Sequence, residues 1–477
     1  MLATVKSTRT LFRAQRVTLP LRTDRVTPIV FTTDVEGNGE KFYNSINTSS
    51  FMKEYNEKLY FTHPRTQFVY GGDAVDKGPY SIRIMQSILA LKAEEPNRVH
   101  LIVGNREAKM TRLWEEMRCP RTVRSRLCSD MTVFWENKQP PSRYMSAHIN
   151  EIGSTQSIQD YVASLSDETC QSLYLRWMLT YTMGCGLIQD KSVDTFELYR
   201  QELCDLTRLP LSRITDEDVT AFLLQQVQPG GVFYDYLSKG VLCHRIGDTL
   251  FVHGAIPEAG IGYIPGRPHT ARALDMPLDQ WIEGLNGWFK KEVKKWKRSE
   301  SLPADVPPGD SPLMKYLVFN PKTVTTSNWY NPSTRKISPL SDVVANYLTK
   351  NGIRRVMTGH QPFSDCPLVL KHEGTGLEVV VGDTSYSDPT AEHNTQGIAY
   401  SVCELLQQGS TEGNDMTSKV IIRAQRRSGM QQVLDLSDPG LSTLGKVTTD
   451  GVYRLKDTGQ WIVSQLHGYE IKDKLVE

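Results

Sequence analysis

This chain of 477 residues has no CxxC pair; its eight cysteines (Cys119, Cys128, Cys170, Cys185, Cys204, Cys243, Cys366 and Cys403) stand singly. That scatter argues against a zinc cluster or a disulfide framework and for a reducing compartment. No apolar run approaches the roughly 20 residues needed to span a bilayer, so no membrane association is expected. Neither sign of charge prevails. Lys and Arg number 55 against 54 Asp and Glu, a net charge of +1, which gives no overall electrostatic case for nucleic acid, a local patch aside. Nucleophile elbow, P-loop, internal repeat and low-complexity tract are all missing, which argues against serine-nucleophile and P-loop nucleotide chemistry and against a repeat architecture. With 39% hydrophobic and 23% charged residues, the composition is that of a globular protein with one large domain and an appendage.

Residues 1–26 carry Lys6, Arg9, Arg13, Arg16, Arg22 and Arg25 against the single acid Asp24, with several Ser and Thr and no secretory h-region. A mitochondrial transit peptide has this composition; a solvated basic tail is the preferred reading. The expected compartment is therefore cytoplasmic, with mitochondrial as the alternative.

What the chain does have is a series of short polar motifs, each where an apolar run ends. PIVFTT leads into Asp34-Val35-Glu36-Gly37-Asn38, and then come GGDAVDKGP (71–79), GNRE (104–107), VHG (252–254) and TGH (358–360). Together they supply Asp34, Asp73, Asn105, His253 and His360, an oxygen and imidazole set suited to a pair of divalent cations. Phosphoester hydrolysis needs a nucleophile at neutral pH and neutralisation of the phosphoryl oxygens. Two ions a few ångströms apart do both, through a bridging hydroxide and a clamp on the phosphate. Asp73 is the natural bridging carboxylate. Asp34 and Glu36 would complete the first ion's shell, and Asn105, His253 and His360 the second's.

Strand signals at Ile29–Thr32, Gln67–Tyr70 and Val99–Val103, with a helical spacing of apolar residues between Pro79 and Glu95, predict a parallel sheet segment whose carboxyl-end loops carry the site. From about 110 to 240 the chain is rich in helix formers, which predicts a long helical insertion, a candidate cap. Core strands are expected again at Thr249–His253, Arg355–Thr358 and Glu378–Val381. A helix with Trp281, Leu285, Trp288 and Phe289 inward turns Lys290, Lys291, Lys294, Lys295, Lys297 and Arg298 outward, most simply as a solvated face. Strand and turn signals from residue 396 to 477 predict a small β-rich C-terminal module.

These motifs resemble those of the calcineurin-like metallophosphoesterase superfamily, most closely its phosphoprotein-phosphatase and diadenosine-tetraphosphatase-like branch. The family's GDxHG, GDxxDRG, GNHE, HG and GH stand here as TDVEG, GDAVDKG, GNRE, HG and GH. The resemblance implies an α/β fold of four layers, a βαββαβ-type sandwich of two mixed sheets flanked by helices, over about residues 27–395. It implies Mn, Fe, Zn or Mg at the site. It also implies a substrate that is a phosphorylated small molecule, a nucleotide or a phosphoprotein.

Three departures shape the chemistry. Glu36 stands for the family's DxH histidine. It either ligates the first ion, favouring Mg or Mn over Zn, or points away, and that ion is lost. Arg106 stands for the GNHE histidine, which in the family pairs with the aspartate matching Asp76 and protonates the leaving oxygen. Arginine stays charged and cannot donate that proton, although it can pair with Asp76 and hold a phosphate oxygen. Any activity should then favour good leaving groups, phosphoanhydrides and aryl phosphates over phosphoserine. Lys77 stands for the GDxxDRG arginine and keeps the charge without the forked geometry. The catalytic candidates are therefore Asp76, Lys77 and Arg106. Asp383, after a strand and Gly382, is expected to shape the floor and not to ligate. The preferred reading is an active metallophosphoesterase. Its rival is a catalytically degenerate phosphatase fold that binds a protein or RNA assembly through the insertion or the C-terminal module.

Overall fold

The computed structural model describes residues 26–477 apart from 136–138, 186–193, 269–270, 319, 331–335, 338, 364–365, 385–398, 409–416, 427–428, 457, 468–469 and 477. The basic N-terminal segment lies outside the described residues, save Val26.

The apolar run after Arg25 forms the strand Val26–Thr32, and every residue from Pro28 on is buried. It pairs in parallel with Gln67–Tyr70, which pairs in parallel with Val99–Leu101. On its other side the sheet turns antiparallel through Ala399–Gln408, Thr417–Arg426 and Gln431–Asp435, giving six strands. A second mixed sheet of five strands runs in the order Cys243–Ile246, Thr249–Val252, Arg355–Thr358, Glu378–Val381, Leu368–Lys371, with its three middle strands parallel. One apolar core lies between the two sheets, with Ile29, Phe31 and Val69 meeting Phe251, Met357 and Val380; the Phe31 and Phe251 rings are 5.8 Å apart.

Helices Gly39–Thr48 and Ser81–Glu94 cover the first sheet, packing Phe42, Ile46, Ile84 and Ile88 against Val30, Phe68 and Tyr70. Leu278–Trp296 and Asp342–Lys350 flank the second. The layers therefore run helix, sheet, sheet, helix: two mixed sheets flanked by helices, the α/β architecture expected from the motifs. Trp281, Leu285 and Phe289 are buried along one stripe, while Lys290, Lys291, Lys294 and Lys295 are exposed. This is the amphipathic pattern of a helix lying on a core.

Between Val99–Leu101 and Cys243–Ile246 the described residues form helices and no strand, from Thr111–Met117 to Val232–Lys239. This bundle has its own buried polar network: Arg112 pairs with Glu116, and Tyr174 donates to Glu116 at 2.8 Å.

The C-terminal expectation needs correction. Alternating apolar residues mark 399–435 as strands without saying which sheet they join. Pairing from Val26↔Gln408 to Phe31↔Cys403 puts these strands in the central sheet, inside the sandwich. Among the described residues after 435, Val447–Thr448, Gly451–Leu455, Trp461–His467 and Glu470–Leu475 form a separate four-stranded sheet.

Candidate functional site

All five motifs end at the carboxyl edges of the parallel strands, where ligands collect in such sheets. The turns that carry them are strained. Asp34, Glu36, Asp73, Asp76, Lys77 and His360 all have φ between +48° and +73°, a region that side chains other than Gly, Asn and Asp seldom enter. Glycines permit the close approach. A Cβ on Gly104 would lie 2.2 Å from Asp73 Oδ1, and one on Gly359 would lie 1.9 Å from Asp34 Oδ2.

The structure brings Asp73, His253 and His360 together, with one ligand atom of each lying within 4.8 Å of the others. Asn105 joins them, its Oδ1 3.3 Å from His253 Nε2. The ring of His253 is fixed by Nδ1, which donates to the Gly71 carbonyl at 2.8 Å and leaves Nε2 facing the acids. Burial opposes ionisation of Asp73, but the positive charges of His253 and Arg106 outweigh it and hold the carboxyl below its ordinary range. Burial likewise opposes charge on His253, and Asp73 and Asp34 overcome it, raising the imidazole to about 10. His360 is lowered to about 3 by burial and by the charge on His253. A carboxylate, two imidazoles and an amide oxygen fit one divalent ion by donor chemistry.

The residues expected around a first ion are arranged differently. Asp34 accepts the backbone N–H of His360 at 3.0 and 3.1 Å and the hydroxyl of Thr33, and burial beside Asp383 pushes its carboxyl well up. Glu36 turns to protein cations. Arg106 approaches its Oε1 at 2.6 Å through Nη2 and 2.9 Å through Nε, and Lys77 Nζ lies 2.9 Å from the same oxygen. Arg106 also faces Asp73 Oδ2 at 3.5 Å and Asp76 Oδ2 at 3.6 Å. The guanidinium therefore spans three carboxylates.

Four contributors gave little sign in the sequence. Lys41 is buried and donates to the Asp34 carbonyl at 2.8 Å; burial lowers its ammonium, with Asp383, Glu36 and Asp34 resisting. Glu107 lies within GNRE itself. It accepts the N–H groups of Asp73, Ala74 and Gly104, so it ties the two motif turns together. Burial and Asp73 raise its carboxyl to about 7. From the helical insertion, Tyr199 donates to Asp76 and the Gly184 carbonyl accepts from Arg106. Only Glu107 had a local signal, its place in a motif. Asp383 is buried and acts electrostatically on both Asp34 and Lys41.

No protein-family model matches the chain. Over 46 residues, 10% of its length, it is 39% identical to the serine/threonine-protein phosphatase PP2A-like PPG1 of Saccharomyces cerevisiae. An equally long match is 41% identical to the serine/threonine-protein phosphatase 6 catalytic subunit of Drosophila melanogaster. These matches span only 12% and 15% of the two relatives. Among solved structures, a cold-active protein-tyrosine phosphatase of a psychrophilic Shewanella species aligns over 86% of this chain and 80% of its own, at 13% identity and a TM-score of 0.39. A serine/threonine phosphatase from Saccharomyces cerevisiae aligns over 83% and 79%, at 12% identity and a TM-score of 0.34. Scores this low carry no argument of their own. The short matches support a relationship to the phosphoprotein phosphatases. Among the described residues, no helix is long and apolar enough to cross a membrane.

Proposed function

We propose that the chain is a metal-dependent phosphoesterase that holds a divalent ion, Mn or Mg before Fe or Zn, on Asp73, Asn105, His253 and His360. The observation that carries this reading is the convergence of Asp73, His253 and His360 from three separate motifs within 4.8 Å. A bound ion would supply Lewis acidity toward a phosphoryl oxygen and a nucleophile from water at neutral pH.

The chain's own residues would do the rest. Arg106 and Lys77 offer fixed positive charge to the phosphate oxygens, and Asp76 and Glu36 hold the guanidinium in place. Arg106 cannot protonate a leaving alkoxide, so hydrolysis favours anhydrides and aryl phosphates over phosphoserine. Nucleotides and other phosphorylated small molecules are the preferred substrate class, with phosphoproteins as the alternative. The catalytic core, expected to end near residue 395, extends to about residue 435, because the strands within 399–435 complete its first sheet; the helical segment at about 110–240 lies within it.

One observation favours a second reading. The Glu36 carboxylate is already paired with Arg106 and Lys77, as in a site that has given up catalysis and is kept for binding a protein or RNA assembly. Hydrolysis of p-nitrophenyl phosphate by purified protein with Mn or Mg separates the two. Asp73→Asn should lower the rate about 100-fold or more. An unchanged rate means that the activity is not this site's, and the binding reading takes its place.

A further inference from the structure

Resting on the phosphoesterase reading, we propose that the site takes one divalent ion rather than two, and that Arg106, backed by Lys77 and Lys41, fills the electrostatic place of the other. A two-ion site needs Asp73 to offer one oxygen to each ion, with Asp34 and Glu36 closing the first shell. Here both Asp73 oxygens are already engaged: Oδ1 accepts the Arg106 backbone N–H at 2.9 Å and lies 3.4 Å from His253 Nε2, and Oδ2 is 3.5 Å from Arg106 Nε. The same guanidinium holds Glu36 Oε1 at 2.6 Å. The two carboxylates that would grip a first ion together grip an arginine instead.

An ion entering there would have to strip a buried guanidinium of Glu36 and of half its hold on Asp73. Breaking a buried charge pair on one side only is strongly unfavourable. It would also sit beside Arg106, Lys77 and the buried ammonium of Lys41, and like charges at such distances repel strongly away from bulk water.

The test is metal stoichiometry in the full-length protein, independent of turnover. Metal-free protein titrated with Mn²⁺ by calorimetry, with metal content measured after desalting, should bind one ion per chain. Its electron paramagnetic resonance spectrum should be that of an isolated Mn²⁺ without exchange coupling. Two ions per chain, or a coupled pair, would overturn the proposal and leave the phosphoesterase reading standing. No ion at all would overturn both. The paired change Glu36→His with Arg106→His, which removes the internal cation and supplies nitrogen ligands, should raise the count from one to two. A count that stays at one shows that the guanidinium is not what excludes the second ion and overturns that part of the proposal. The wild-type titration decides the number without any variant.

Discussion

The phenol of Tyr199 donates a hydrogen bond to Oδ1 of Asp76 at 2.9 Å across 123 residues of sequence, and both groups are buried. This contact ties the helical insertion to the motif loop that carries Lys77. Burial pushes the Asp76 carboxyl up, and Arg106 and Tyr199 restrain the rise. Tyr199→Phe should therefore cost about 1–3 kcal/mol near neutral pH by leaving a buried acceptor with one partner fewer. The sign with pH follows from linkage. A carboxyl raised in the folded state destabilises only when it must ionise, so the deficit should shrink as pH falls toward the ordinary aspartate value of about 3.9. Urea unfolding of both proteins at pH 7 and pH 5 measures this. Equal losses at the two pH values would show that the hydroxyl does not serve the carboxylate.

The sandwich was largely legible from local pattern. Val26–Thr32, Gln67–Tyr70, Arg355–Thr358 and Glu378–Val381 lie where apolar runs meet acidic or glycine-bearing turns. The partners of those strands were not legible. Ala399–Gln408 reads as a strand from its residues, but its pairing with Val26–Thr32 is set by packing across the whole chain. The site divides the same way. Asp73, Asn105, His253 and His360 sit in motifs with their own turn chemistry. Lys41 is one residue of an amphipathic helix, and Tyr199 meets Asp76 from a helix 123 residues further along the chain. The replacement of a histidine by Arg106 was visible in the sequence; that its guanidinium would reach Glu36 was not.

Glu202 lies outside the site and offers a cleaner titration. Its Oε1 accepts the N–H groups of Ile82 and Arg83 at 2.9 Å each, capping the helix Ser81–Glu94 from the insertion. Burial raises this carboxyl to about 7. Because the folded value exceeds the unfolded one, the native state is favoured below about pH 4.3 and loses that advantage as pH rises toward 7. Glu202→Gln keeps an acceptor for the cap and cannot ionise. Relative to wild type it should gain roughly 1–2 kcal/mol between pH 5 and pH 8. Denaturant midpoints across that range check the trend, and a difference that does not change with pH counts against it.

Two glycines separate close approach from mere helix propensity. Gly359→Ala puts a methyl 1.9 Å from Asp34 Oδ2 and 2.5 Å from Thr33 Oγ1, and overpacking of this kind costs about 1–3 kcal/mol. Because it displaces the carboxylate that holds the His360 backbone, metal affinity should fall with stability. Gly287, exposed on the helix Leu278–Trp296, has nothing within 4 Å of an added Cβ. Gly287→Ala should add about 0.5–1 kcal/mol and leave metal binding unchanged. Thermal unfolding with and without Mn²⁺ compares them. A Gly359→Ala protein as stable as wild type would mean that the turn has room to relax.

The strongest chemical prediction concerns the leaving group. Arg106 lies 3.6 Å from Asp76 and replaces the residue that, in the family these motifs resemble, supplies a proton. With a permanently charged guanidinium there, expulsion of an alkoxide goes unassisted, while p-nitrophenolate and anhydride leaving groups need little assistance. Arg106→His places a titratable imidazole beside Asp76. Total activity should fall, because the fixed charge next to Glu36 and Asp73 is lost. The ratio of phosphoserine peptide hydrolysis to p-nitrophenyl phosphate hydrolysis should nevertheless rise, by about 10-fold or more for a working general acid. Measuring kcat/KM for both substrates on both proteins gives that ratio free of differences in the amount of folded enzyme. A ratio that stays level or drops would show that proton donation at this position does not limit the reaction.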